Sequence, residues 1–105
     1  MSDLKIEPEE LETVRGILRV HVPGLEVWAF GSRVHGENLK PFSDLDLAII
    51  TETPLDAEKL AELREAFSES ALPFKVDFLD WSVTNERFKR LIRQDYRIVQ
   101  KEKGG

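Results

Sequence analysis

Apolar residues recur at helical spacing in some stretches of this chain and crowd into short runs in others. In the first stretch Leu11, Val14, Ile17 and Leu18 fall on one side of a helix. Pro8-Glu9-Glu10 opens that helix, with proline at an early position and acids at the positive helix end. Pro23-Gly24 stops it. Glu26-Val27-Trp28-Ala29-Phe30 then reads as a short buried strand, and Gly31-Ser32 opens a turn or short helix through Gly36. Residues 37–43, with Asn38 and Pro41, read as loop. A second strand runs from Asp44 to Thr51, its apolar positions being Leu45, Leu47, Ala48, Ile49 and Ile50.

Pro54 breaks the chain, and Asp56 is suited to cap the next helix. Leu60, Leu63 and Phe67 mark its apolar stripe, which ends before Pro73. Phe74 to Asp80 reads as a third strand. Ser82 or Thr84 is expected to cap a last helix, with Phe88, Leu91 and Ile92 facing inward. Tyr96 to Gln100 fits a fourth short strand or a continuation of that helix, and both stay open. Lys101 to Gly105 reads as a frayed end. No repeat, low-complexity stretch or internal linker interrupts residues 1–105, so one domain is expected: a sheet with helices packed on it.

Composition narrows the class. The chain has 105 residues and is 41% hydrophobic, enough for one packed core. It has no cysteine, which excludes disulfides and thiolate metal sites and is compatible with a reducing cytoplasm. No apolar run approaches the roughly 20 residues of a membrane span, and the opening Met1-Ser2-Asp3-Leu4-Lys5 is not a signal peptide. The net charge of −5 is uneven: residues 1–80 carry 8 basic and 17 acidic side chains, residues 81–105 carry 7 and 3. An acidic body argues against general nucleic-acid binding. The basic tail suits a solvated helix face, or else an acidic partner or a nucleotide.

Chemistry concentrates in Gly31-Ser32-Arg33-Val34-His35-Gly36 and Ser43-Asp44-Leu45-Asp46-Leu47. Side chains alternate along a strand, so Asp44 and Asp46 point the same way, roughly 6–7 Å apart. Two such acids repel unless a cation lies between them, and Mg²⁺ takes carboxylate and phosphate oxygens. Two ions clamp both oxygens of a phosphoryl displacement, and a third carboxylate would complete such a site. Asp77 and Asp80 are the candidates. Asp77 is flanked by Val76 and Phe78 in mid-strand, where a charge needs a partner or a metal, whereas Asp80 at the strand end can reach water. Asp77 is therefore the third acid. Gly31 lets backbone approach a phosphate, and Ser32 adds a hydroxyl donor. Arg33 either adds positive charge there or is a surface arginine. His35 reads as a solvated loop residue, His21 as structural, and Trp28 and Trp81 as core.

Taken together, Trp28-Ala29-Phe30-Gly31-Ser32-Arg33, Ser43-Asp44-Leu45-Asp46-Leu47 and Val76-Asp77-Phe78-Leu79-Asp80 resemble the minimal nucleotidyltransferase (MNT) family of the DNA polymerase β-like superfamily. The resemblance covers residues from about 10 to 100. The family pattern is Gly-Ser, a spacer, Asp-x-Asp and a later strand acid, and Gly31, Ser32, Asp44, Asp46 and Asp77 match it one by one. The spacer, Arg33 to Ser43, is one residue longer than the commonest in the family. The resemblance implies an α+β polymerase β-like fold with a mixed sheet and helices packed on it. It also implies two Mg²⁺ ions at Asp44, Asp46 and Asp77, and a nucleoside triphosphate, typically ATP, held at Gly31, Ser32 and Arg33.

At this length no residues are left over for an acceptor-binding domain. An acceptor site is thus expected at an interface, with a copy of the chain (a homo-oligomer) or with another protein. MNT proteins are commonly encoded beside a small helical HEPN-domain protein, a presumed RNase toxin. The resemblance therefore implies a cytoplasmic antitoxin that transfers AMP to a hydroxyl of such a toxin. The alternative is a non-catalytic subunit that binds nucleotide or masks the partner. Three converging carboxylates favour the enzyme, since a binder has no need of them.

Overall fold

A computed structural model describes residues 4–36, 39–40 and 42–102. The expectations for the first three residues, for Asn38 and Pro41 in the loop and for Lys103–Gly105 in the frayed end lie outside the described residues. Helix α1 (Pro8–His21) is followed by strand β1 (Glu26–Phe30), a single turn of helix α2 (Ser32–His35) and strand β2 (Leu45–Ile50). Helix α3 (Ala57–Ser68), strand β3 (Val76–Asp80), a 3-10 turn (Trp81–Val83), helix α4 (Glu86–Gln94) and strand β4 (Arg97–Gln100) complete the order. The strands form one sheet in the order β3-β2-β1-β4. β1 runs antiparallel to both β2 and β4, whereas β2 and β3 are parallel, so the sheet is mixed as expected.

Alternation along the strands gives the sheet two faces. Val27 and Ala29 of β1 and Leu45, Leu47 and Ile49 of β2 are fully buried against Val14 and Leu18 of α1 and Leu63 and Phe67 of α3. On the other face Ala48, Trp81 and Ile92 form a smaller core with Trp28, Ile50, Leu79 and Tyr96. The Trp28 ring stacks on Tyr96 at 4.0 Å, and Trp81 meets Trp28 edge-on at 5.1 Å. Both tryptophans thus serve the core.

Local capping follows the sequence in part. The Glu7 N–H donates to Glu10 Oε1 at the start of α1, and Asp56 accepts from the Lys59 N–H at the start of α3. The cap of α4 is Asn85, which accepts from the Phe88 N–H, rather than Ser82 or Thr84; those two are bound up in the preceding 3-10 turn. Of the three apolar residues expected to face inward from α4, Ile92 is buried and Phe88 meets the Phe30 ring, whereas Leu91 stays out. Phe88 is 38% and Leu91 56% exposed. The open alternative for the last segment resolves to a strand. Arg15 Nε donates to the Val99 carbonyl, and Gln100 Nε2 donates to the carbonyls of Val22 and Leu25, fastening β4 beside α1.

Asp80 departs from its expected place in water. It is 7% exposed, and its carboxylate accepts from the Thr51 hydroxyl, the Leu55 N–H and both the N–H and hydroxyl of Ser82. Burial works against its charge, but these donors outweigh burial and hold its pKa below the ordinary carboxylate value.

Candidate active site

β1, β2 and β3 carry the motif residues to one edge of the smaller-core face. In the ladder Asp46 lies opposite Phe30 of β1 on one side and opposite Asp77 of β3 on the other. Asp44 stands just before β2, two residues from Asp46, and is exposed. The Leu45 N–H donates to the Lys75 carbonyl at 2.9 Å, which ties the β2 entry to β3. The central acid feels its surroundings and the two outer ones. Burial first, then the charges of Asp77 and Asp44, push the Asp46 pKa up from 3.8 to about 6.

Gly31 closes the site from the β1 side. Its φ is +86° and ψ is −155°, a conformation available essentially to glycine alone. A Cβ at this position would sit 2.5 Å from Asp46 Oδ2, so the backbone after β1 lies directly against the central carboxylate. The Gly31 carbonyl accepts from the N–H groups of Val34 and His35, which turns the chain into α2 and leaves Ser32 at its first position. The Gly-Ser and Asp-x-Asp motifs, 12 residues apart in sequence, are therefore in contact through Gly31 and Asp46.

Gly31→Ala is expected to cost about 1–3 kcal/mol from backbone strain and to displace the Asp46 carboxylate. The chain should still fold but lose nucleotide turnover. Thermal melts and a turnover assay check this; an alanine variant with wild-type turnover would mean the close approach is dispensable.

Arg33 is not the surface arginine that one reading allowed. It is 5% exposed, Nε donates to the Ser43 carbonyl, Nη1 donates to the Lys5 carbonyl, and the guanidinium lies 4.2 Å over the Phe74 ring. With its donors turned to backbone carbonyls, it fastens both ends of the Gly31–Asp44 connection rather than standing at the surface. His35 is exposed, as expected.

Three residues beside the acids were not singled out from sequence. Lys75 Nζ lies 3.5 Å from Asp77 Oδ1; its i−2 position on the same strand face is the signal that could have found it. Phe30 and Phe88, edge-to-face at 5.8 Å, line a cavity of about 290 Å³ together with Asp46, Asp77 and Leu79. A larger hollow of about 670 Å³ lies among Lys5, Glu10, Arg33 and Lys40, but Asp44, Asp46 and Asp77 are not part of its lining. Asp46 and Asp77 line the smaller cavity instead.

Among the described residues no three carboxylates or imidazoles stand at metal-ligand spacing. Asp77 stands instead beside Lys75. The donor set nevertheless fits a hard cation. It is all oxygen, it sits at adjacent strands, and its central member is held against its own ionisation by burial first and then by its two neighbours. A cation there would relieve that strain.

The raised Asp46 pKa has a sign that can be checked. With its folded value near 6 and its ordinary value 3.8, ionised Asp46 destabilises the metal-free fold. The penalty is absent below about pH 4, grows between pH 4 and 6 as the unfolded chain ionises first, and is complete above it. Asp46→Asn should therefore raise the melting temperature of the metal-free protein at pH 7.5. The gain should shrink through pH 6 and vanish by pH 4. A gain of equal size at both pH values would mean that the Asp46 charge is not its source.

Comparison with known proteins places this geometry. The family model described as polymerase beta, nucleotidyltransferase, matches residues 12–103. The probable protein adenylyltransferase MntA of Haemophilus influenzae is 52% identical over 101 residues, covering 96% of this chain and 88% of that protein. Among solved structures, a chain of a toxin–antitoxin with AMP-PNP superposes with a TM-score of 0.72 at 23% identity, over 89% of this chain and 74% of its own. A chain of the tri-AMPylated Shewanella oneidensis HEPN toxin in complex with MNT antitoxin gives a TM-score of 0.67 at 20% identity, over 91% and 73%. The mixed sheet, the Gly31–Asp46 contact and the match across nearly the whole chain lead to one assignment: the chain belongs to the polymerase β-type nucleotidyltransferase family.

Proposed function

We propose that the chain is a Mg²⁺-dependent protein adenylyltransferase that moves AMP from ATP to a hydroxyl of a HEPN-type toxin and so acts as its antitoxin. The observation that carries this reading is the convergence of Asp46, Asp77 and Gly31 beside one cavity. The 52% identity to MntA supports the protein acceptor, and the complexes of HEPN toxin with MNT antitoxin among the structural matches support the partner. Use of ATP fits a cytoplasmic protein. Among the described residues no helix is long and apolar enough to cross a membrane.

In this reading Asp44, Asp46 and Asp77 hold the metal. When bound, Mg²⁺ neutralises phosphate charge and favours in-line displacement at the α-phosphorus. Gly31 lets the backbone approach the triphosphate, and the Ser32 N–H and hydroxyl donate to it. Arg33 keeps this loop in place from behind. Asp77 leaves Lys75 on ligand binding and accepts the proton of the attacking hydroxyl. The hydroxyl oxygen bonds to the α-phosphorus as the bond to pyrophosphate breaks. Position and charge do the work, with no covalent enzyme intermediate.

The test is direct. With α-labelled ATP, Mg²⁺ and its HEPN-type partner, the protein should put AMP on the partner and release pyrophosphate in equal amount. A partner neutralised with no added mass would identify a masking subunit instead.

A further inference from the structure

The smaller-core face is covered by α4, and the cations of α4 divide into two groups. Lys89 pairs with Glu86 at 3.5 Å and lies 5.3 Å over the Trp81 ring; Arg93 lies 5.1 Å over the same ring. Arg87 and Arg90 are exposed and, among the described residues, have no such partner. The turn of the helix gives these groups direction. Phe88 points at the cavity shared with Asp46 and Asp77. At about 100° per residue, Leu91 lies about 60° and Arg87 about 100° to one side of Phe88, while Lys89 and Arg93 lie to the other, over Trp81. The lip beside the catalytic cavity is therefore Arg87, Phe88 and Leu91, with Arg90 next on the outer face.

This lip combines an unpaired guanidinium with a leucine 56% exposed and a phenylalanine 38% exposed. Phosphate alone would call for the cations and not for the apolar pair. A protein surface uses both, with arginine and aromatic residues typical of its anchors. The sign of the charge sets the partner's. The lip is basic on a chain whose first 80 residues carry 17 acids against 8 bases, so it selects an acidic surface that the rest of the molecule repels.

Resting on the reading of the site as one that modifies a partner protein, we propose that Arg87, Phe88 and Leu91 of α4 form the docking lip for the acceptor protein, seating an acidic, partly apolar face of it so that its hydroxyl enters the cavity at Asp46 and Asp77. Arg90 extends the contact outward.

The experiment uses the full chain with the same HEPN-type acceptor and compares wild type, Arg87→Glu, Leu91→Asp and, as a charge-matched control on the far side of the sheet, Arg19→Glu. Acceptor affinity is read by calorimetry, AMP transfer by label, and Mg·ATP affinity separately. The two lip variants should bind the acceptor at least tenfold more weakly, with KM for the acceptor raised in step, kcat near wild type and Mg·ATP affinity unchanged; Arg19→Glu should match wild type. Wild-type acceptor affinity in both lip variants overturns the proposal while leaving adenylylation standing. A loss confined to Mg·ATP affinity overturns it in favour of a triphosphate contact. Self-association of the chain alone that the lip variants abolish overturns it in favour of a second copy. Wild type that binds the acceptor at this lip without labelling it sinks the enzymatic reading and leaves the docking surface supported.

Discussion

Asp44→Asn combined with Asp46→Asn should lower AMP transfer by about a thousandfold or more, the scale typical of removing charge stabilisation from a phosphoryl-transfer site. Both substitutions keep shape and remove charge. Asp44 is exposed and Asp46 is destabilising when ionised, so the fold should hold or gain. The complex with the partner should still form, because the docking lip is on α4 and not on β2. Calorimetry with Mg²⁺ and ATP should show the metal-dependent heat vanish. Rapid transfer by the double variant would move the metal site away from β2, and full neutralisation of the partner without label would establish masking.

Asp80→Ala should do the opposite: spare the chemistry and damage the fold. The substitution strands the Thr51 hydroxyl, the Leu55 N–H and the Ser82 donors in a site 7% exposed. Loss of charge-assisted bonds with donors left unsatisfied costs about 3 kcal/mol, a large share of the 5–15 kcal/mol typical of a domain. The melting temperature should fall on the order of 10 °C. The sign with pH follows from the lowered pKa. The contribution of Asp80 is complete above the ordinary carboxylate value and is lost as pH falls through its own depressed one. The gap between wild type and variant should thus be full at neutral pH and close in strong acid. A constant gap across that range would mean the cost is packing and not charge.

The contrast between these two carboxylates marks what the sequence could and could not tell. Asp44, Asp46, Gly31 and the strands that carry them are local patterns: alternation, a glycine at a strand end, two acids two residues apart. Their convergence followed once the strands were assigned, although β2 begins at Leu45 and not at Asp44, and β3 at Val76 and not at Phe74. Strand position alone makes Asp77, in mid-strand, the buried acid and Asp80, at the strand end, the wet one. The Asp77 side chain is in fact 47% exposed and paired with Lys75, while Asp80 is the buried acid. The partners that reverse their surroundings, Thr51 and Leu55, are 29 and 25 residues away and invisible to a local window. Arg33 is the same case, with its carbonyl partners at Lys5 and Ser43. So is β4, whose short apolar run suits helix or strand equally until it pairs with β1, with Arg15 of α1 and the Val22 carbonyl just after α1 fastening it. Periodicity specifies which way a side chain points, not what waits there.

The cluster of Trp28, Trp81 and Tyr96 has an optical consequence. The chain has two tryptophans and one tyrosine, and Trp81 and Tyr96 both contact Trp28 on the face that α4 covers. Its intrinsic fluorescence and its aromatic circular dichroism thus originate mainly from one side of the sheet. Excitation at the tryptophan band reports mainly on the α4–β4 side and less on loosening of α1 or α3, which the amide band sees. The two signals together separate partial from global opening. An acceptor pressing on α4 would announce itself in the emission spectrum with no dye attached.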